Sequence, residues 1–137
     1  MNAFGIFEVS ASALEAQRQR MNVIASNMAN VHSTRTEEGG PYRRKDVVFS
    51  ALTVASNPGM LEGVKVDDIA IDTSPLKTVY DPGHPDADKE GNVSMPNINI
   101  IEEMVNMMMA YRAYEASVSA FTMSKAMFMK TLELGRV

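Results

Sequence analysis

Apolar and aromatic residues recur along the C-terminal third of the chain at steps of three and four. Met104, Met107, Tyr111, Tyr114, Val118, Phe121, Phe128 and Leu132 fall on this pattern, and Lys125 fills the one remaining slot. Between Ile101 and Leu134 there is neither Gly nor Pro. A seam kept over about four heptads without a breaker predicts one long helix, roughly 50 Å from end to end at 1.5 Å per residue. Pro96-Asn97-Ile98-Asn99 opens it. Either Asn97 or Asn99 can cap it, and Glu102 and Glu103 complement the positive end of the helix dipole. Gly135 stops it. Off the seam lie Met108, Met109, Ala110, Ala116, Met123, Met127 and Met129. A helix apolar on more than one face must be covered on more than one face.

The N-terminal stretch from Phe4 to about Val31 carries a matching pattern. Phe7, Leu14, Met21 and Met28 recur every seven residues, and Ala11, Ile24, Ala25 and Val31 widen the stripe. This predicts a second helix. Ser12-x-x-Glu15 resembles a capping box, which would start the helix there; a start near Asn2 is the other reading. Asn22, Asn27 and Asn30 are costly inside a helix. They read either as a solvated face or as amides bonded to neighbouring helices, since a carboxamide both donates and accepts.

Between the helices the period changes from helical to alternating. Val47-Val48-Phe49 and Leu52-Thr53-Val54 read as short strands. Asn57-Pro58-Gly59 is a turn. Val64-Lys65-Val66 and Ile69-Ala70-Ile71 read as a strand interrupted by Asp67-Asp68, and Lys77 to Tyr80 as a last strand. Residues 81–91 read as loop. The expected fold is mainly α with a small β insertion. Long N- and C-terminal helices pack as a coiled-coil-like pair, and the middle is a β-rich domain. The boundaries are 1–34 for the first helix, 35–96 for the middle and 97–137 for the last helix.

Composition narrows the function. The 137 residues suffice for one domain, and there is no cysteine to form a disulfide, a thiolate nucleophile or a metal ligand. No run of eighteen apolar residues spans a bilayer. The first residues lack a basic stretch and a long apolar core, so no cleavable secretory signal is expected. The net charge of -4 arises entirely between residues 35 and 100, with eleven acids and seven bases; both helical ends are balanced. Neutral ends can associate without repulsion, and the absence of a basic face argues against nucleic acid. The polar side of the last helix is too poor in Lys and Arg for a membrane-surface module.

Candidate chemistry is sparse. His84, Asp86 and Asp88 alternate in one loop and could converge on a divalent cation, which makes a metal-dependent hydrolase the alternative reading. An acidic turn is the simpler one. No glycine-rich phosphate loop or G-x-S-x-G is present. The chain therefore reads as a non-enzyme without a cofactor. Seven of its twelve methionines lie between Met104 and Met129, and such flexible side chains suit a surface that must fit several neighbours.

Particular motifs carry a family resemblance. Arg20-Met21-Asn22-Val23-Ile24-Ala25-Ser26-Asn27-Met28-Ala29-Asn30 resembles the N-terminal signature of the bacterial flagellar rod, hook and filament-axis family. Gly40 to Phe49, Tyr80 to Asp88 with Met95-Pro96-Asn97, and Glu103-Met104 with Ala110 to Ala116 extend the resemblance over nearly the whole chain and point to its proximal-rod branch. Asn92 before Val93 and the acidic Glu37-Glu38 depart from the pattern, both in loops. The resemblance implies a structural subunit of a hollow, torque-transmitting rod in the basal body, exported by the flagellar type III system into the periplasmic space. It implies as partners other copies of the chain, the rod proteins FlgB, FlgF and FlgG, the adaptor FliE and the MS ring. The assembly interface expected on this reading comprises Phe7, Leu14, Met21, Ile24, Asn27, Met28 and Asn30 on the first helix. On the last helix it comprises Met104, Met107, Met108, Tyr111, Tyr114, Val118, Phe121, Phe128 and Leu132.

Overall fold

The structure, a computed structural model, describes residues 3–53 and 61–135. In chain order come helix α1 (Ala3–Ala29), strands β1 (Lys45–Thr53), β2 (Glu62–Ile71), β3 (Lys77–Tyr80) and β4 (Asn92–Met95), and helix α2 (Ile100–Leu134). The fold is thus mainly α with a small β insertion. Val54 and the turn at Asn57-Pro58-Gly59 lie outside the described residues.

α1 and α2 run antiparallel. At one end Phe7 packs edge-on against Phe121 with ring centroids 5.3 Å apart, and Phe4 meets Phe128 at 6.3 Å. At the other end the Asn27 amide donates to Glu103 at 2.9 Å. Among the described residues α2 packs on α1 and on no strand, whereas α1 also packs on β1 and β2. Three layers result: α2, then α1, then the β1–β2 hairpin.

Ser12 is one reason α1 can carry a sheet on its second side. It does not cap the helix, which already runs from Ala3. Its hydroxyl donates to the Val9 carbonyl at 2.7 Å and accepts from the backbone amide of Val64 at 3.1 Å. Glu15, the other half of the expected box, instead holds Arg18 at 2.7 Å. The capping-box pattern fits a polar residue docking a strand in mid-helix just as well, and only the tertiary contact tells them apart.

The buried line of α2 differs from the seam read in the sequence. Met107, Tyr114, Phe121 and Phe128 lie on it, as expected. Met104, Tyr111, Val118 and Leu132 do not; they are 53%, 53%, 40% and 51% exposed. Glu103, Ala110 and Ser117, one residue earlier, take the places of the first three, and Ser124 takes that of Lys125. Ala110, assigned off the seam, is 0% exposed. Apolar periodicity finds where apolar residues are, not where two helices touch. Small residues at the contact let backbones approach, and they carry little hydrophobic signal.

The hairpin is more regular than expected. The predicted pair of short strands is one continuous β1. The break at Asp67-Asp68 is a bulge within one β2: Val48 pairs with Asp68 and Phe49 with Val66, leaving Asp67 without a partner in the register. Such a bulge adds a residue without ending the strand. A second antiparallel pair joins β3 to β4, from Lys77 opposite Met95 to Tyr80 opposite Asn92. β4 had no sequence signal of its own because it is four residues long and borders Pro96. The loop between them closes tightly at Gly91, with φ of 82°. A Cβ at Gly91 would stand 2.9 Å from the Tyr80 ring, so the turn requires glycine on two counts.

Candidate functional site

Two features stand out, one buried and one exposed. The buried one joins three segments far apart in sequence. Asn27 is 0% exposed, and its carboxamide uses both ends. Its Nδ2 donates to the Lys45 carbonyl at 2.7 Å and to Glu103 Oε2 at 2.9 Å. Its Oδ1 accepts from the Lys45 amide at 3.0 Å and from the Tyr42 hydroxyl at 3.2 Å. Asn27 thus behaves toward β1 as one more strand residue would, satisfying the N–H and C=O that Lys45 turns away from β2. This answers one of the two readings of the asparagines. Asn27 bonds to a neighbouring helix of its own chain, Asn30 donates to the Ser26 carbonyl, and Asn22 is exposed.

Glu103, also 0% exposed, is the acid of the junction. Its Oε1 accepts from Arg44 Nε at 2.8 Å. Arg44 extends further to Asp46 at 3.1 Å and Asp72 at 3.7 Å. Its partial burial pulls the guanidinium pKa down, but hydrogen bonding and attraction from Glu103 and Asp46 outweigh that, so it lies above its ordinary value. Arg44 is therefore charged at every relevant pH. Asp72 is held below the ordinary aspartate value, first by hydrogen bonds from Ser74 and then by Arg44.

Asn97 completes the frame. It accepts from the Arg44 backbone amide at 2.9 Å and donates to Ser74 Oγ at 2.9 Å. That leaves the cap of α2 to Asn99, which accepts from the Ile101 amide at 3.1 Å. Of the two candidate caps, Asn99 caps and Asn97 ties. The sequence placed Glu103 at the helix dipole; it gave no sign that Glu103 and Arg44 meet.

The exposed feature is the outer face of α2. Met104, Met108, Met109, Tyr111 and Met123 are between 53% and 66% exposed, and Met127 is 66% exposed. Ile101 and Val105 extend the surface toward the start of the helix. An isolated monomer rarely shows so long a line of apolar side chains. Near the end of the helix pair, Ile6, Phe7, Ser124, Met127, Phe128 and Thr131 line a shallow apolar groove of about 150 Å³.

The other sequence-selected residues divide between these features. On α1, Ile24 is buried at 4% exposed, and Phe7, Leu14, Met21 and Met28 are half-buried. The loop candidates for a metal are occupied with local bonds. His84 Nδ1 accepts from the Asp86 amide, Asp86 accepts from Thr34 Oγ1 at 2.8 Å, and Asp88 accepts from the amides of Glu90 and Asn92. No cluster of three potential ligands occurs among the described residues. These bonds give the loop a structural role: Thr34 and Asp86 fasten it to the chain leaving α1. No helix among the described residues is long and apolar enough to cross a membrane.

Comparison with known proteins accounts for both helical ends. A family model described as "Flagella basal body rod protein" matches residues 7–35, over most of α1. One described as "Flagellar basal body rod FlgEFG protein C-terminal" matches residues 89–134, over β4 and α2. The flagellar basal-body rod protein FlgC of Escherichia coli O6:H1 is 47% identical over 137 residues, covering 99% of this chain and 100% of the relative. FlgC of Bacillus subtilis strain 168 is 43% identical, with 99% and 100% covered. That of Borreliella burgdorferi is 42% identical, with 98% of each covered. Identity at this level over the full length of relatives from distant bacteria, with rod-family matches on both helices, leaves one assignment: the chain belongs to the FlgC family of flagellar basal-body rod proteins, which are structural subunits and not enzymes.

Proposed function

We propose that this chain is one stave of the proximal rod. The helix pair α1–α2, packed in coiled-coil fashion, belongs to the wall of the inner tube, and the β-rich middle decorates its outside. The division follows residues 1–34, 35–96 and 97–137. The observation that carries the proposal is the exposed apolar face of α2. It runs from the flank to the far side of the line that packs on α1, and these side chains stay exposed in the helix pair. In a tube, each chain's exposed face becomes part of a neighbour's core. The groove at Phe7 and Phe128 offers a second, differently shaped contact, and unlike contacts on one protomer generate helical growth rather than a closed dimer.

The neighbours on this reading are further copies of the chain, the rod proteins FlgB, FlgF and FlgG, the adaptor FliE and the MS ring. The assembled rod passes torque from the motor ring toward the hook and encloses the export channel. The subunit reaches the periplasmic space through the flagellar type III system. The balanced charge of both helical segments supports close packing of many copies, and the acidic middle supports an outward-facing, solvated layer.

Cross-linking within intact basal bodies tests this. Single cysteines placed along residues 104–132 have no competing thiol within the chain, which contains none. Inter-subunit cross-links from positions 104, 108, 111 and 118, with few from 110 and 117, are the expected result. Cross-links confined to the middle region would defeat the proposal.

A further inference from the structure

Among the described residues α2 packs on no strand, yet one of its side chains reaches the root of β1. Glu103 is that side chain, and it holds both Arg44, the residue before β1, and Asn27, the residue of α1 that carries Lys45. The hairpin is fixed to α1 at two places. Near its root, Asn27 brackets the Lys45 backbone; near its far end, Ser12 accepts from Val64. Fifteen residues separate Asn27 from Ser12, about 22 Å along a helix. The far attachment involves α1 alone. The near one is completed only when α2 delivers Glu103.

We propose that Arg44 and Glu103, together with Asn27, are positioning residues that set the angle of the β1–β2 hairpin to the helix pair, so that docking of α2 on α1 fixes where the outer layer points. The chemistry favours this role over simple stabilisation. Arg44 spreads its guanidinium over three carboxylates, Glu103 from α2, Asp46 from β1 and Asp72 just beyond β2. A planar fork bonded to three segments fixes their mutual orientation in a way a single point charge does not. Asn27 does the same for the backbone of Lys45, using donor and acceptor at once. The inference deepens the tube-stave reading by naming how the inner wall directs the outer layer.

The test uses the full chain, unassembled, with spin labels on cysteines introduced at the exposed positions Ala51 in β1 and Ser119 in α2. The parent chain should give one narrow inter-label distance. E103A should lose it, giving a broad or displaced distribution with helix content unchanged by circular dichroism. E103Q keeps one acceptor oxygen but sets its amide N–H against a second donor, Asn27 Nδ2 or Arg44 Nε, so it should recover the narrow distance only in part. If E103A loses helix content, R44K becomes the decisive variant: it keeps the charge but not the fork, and should also broaden the distance. A parent-like distance in every variant that retains its helices would overturn the proposal. M108D serves as the separate arm. It should leave the distance unchanged, while its capacity to enter rods reports on the tube-stave reading alone.

Discussion

Asn27 on α1 and Glu103 on α2, 76 residues apart in sequence, share a 2.9 Å hydrogen bond with both side chains fully buried. Burying a carboxylate is costly unless it is paired and hydrogen-bonded. Here the acid has an amide on one oxygen and a guanidinium on the other. Glu103→Ala removes the hub and leaves Asn27 Nδ2 with the Lys45 carbonyl only. Arg44 keeps Asp46 and Asp72, which limits the damage, so a loss of about 3 kcal/mol is expected, at the lower end for breaking a buried pair. The double variant with Asn27→Ala should cost clearly less than the sum of the single changes, because the two residues share one network. Urea denaturation of the four proteins gives the coupling directly, and strict additivity would mean the residues act separately.

Gly63 marks where β2 presses on α1. A Cβ there would stand 2.5 Å from the Ser12 hydroxyl oxygen and 3.3 Å from its Cβ. Gly63→Ala should therefore destabilise by about 1–3 kcal/mol, as overpacking does. Combining it with Ser12→Ala removes the closest atom and should recover part of the loss. Because Ser12→Ala also removes the bond from the Val64 amide, thermal melts of both single variants and the double check this; a double-variant loss equal to the sum of the single losses would place the clash elsewhere.

Acid should loosen the root of the hairpin. Asp72 lies below its ordinary pKa of 3.8 because Ser74 and then Arg44 favour its charged form. A carboxylate depressed in the fold adds stability above its unfolded pKa and loses it as pH falls through the folded one. Unfolding midpoints between about pH 5 and about pH 2 should fall for the parent chain and fall less steeply for Asp72→Asn. Parallel curves would show that Asp72 is not a linked group.

The sequence made the architecture legible and the contacts less so. Long uninterrupted heptads reveal a helix whatever it packs against, so α1 and α2 were readable, as was the alternating hairpin. The buried line of α2 was misread at Met104, Tyr111, Val118 and Leu132, because Ala110, Ser117 and Ser124 contribute closeness rather than hydrophobicity. The junction was also out of reach. Asn27, Arg44 and Glu103 are each ordinary surface residues by type, and their meaning depends on three segments converging. The local bonds of His84, Asp86 and Asp88 show the converse, a ligand-like spacing that serves a turn.

The corrected helix line changes which substitutions are informative. Phe121 packs on Phe7 at 5.3 Å within one chain. Phe121→Asp should therefore open that end of the helix pair and abolish assembly by disrupting the fold rather than the contact between subunits. Hydrogen exchange should show lost protection over the first two turns of α1 in that variant, while the Asn27 end stays protected. Uniform loss along α1 would mean the two ends are not independent.

Val118, 40% exposed, borders the buried line at the edge of the outer face, and a charge there leaves the Phe7–Phe121 contact in place. The central claim is that this face is the contact between subunits. It is tested most directly by introducing Val118→Asp as the sole copy of the protein and isolating basal bodies. The account predicts a soluble chain with parent-like circular dichroism and melting, no completed rod and no motility. A folded Val118→Asp chain that builds rods and swims like the parent would contradict it.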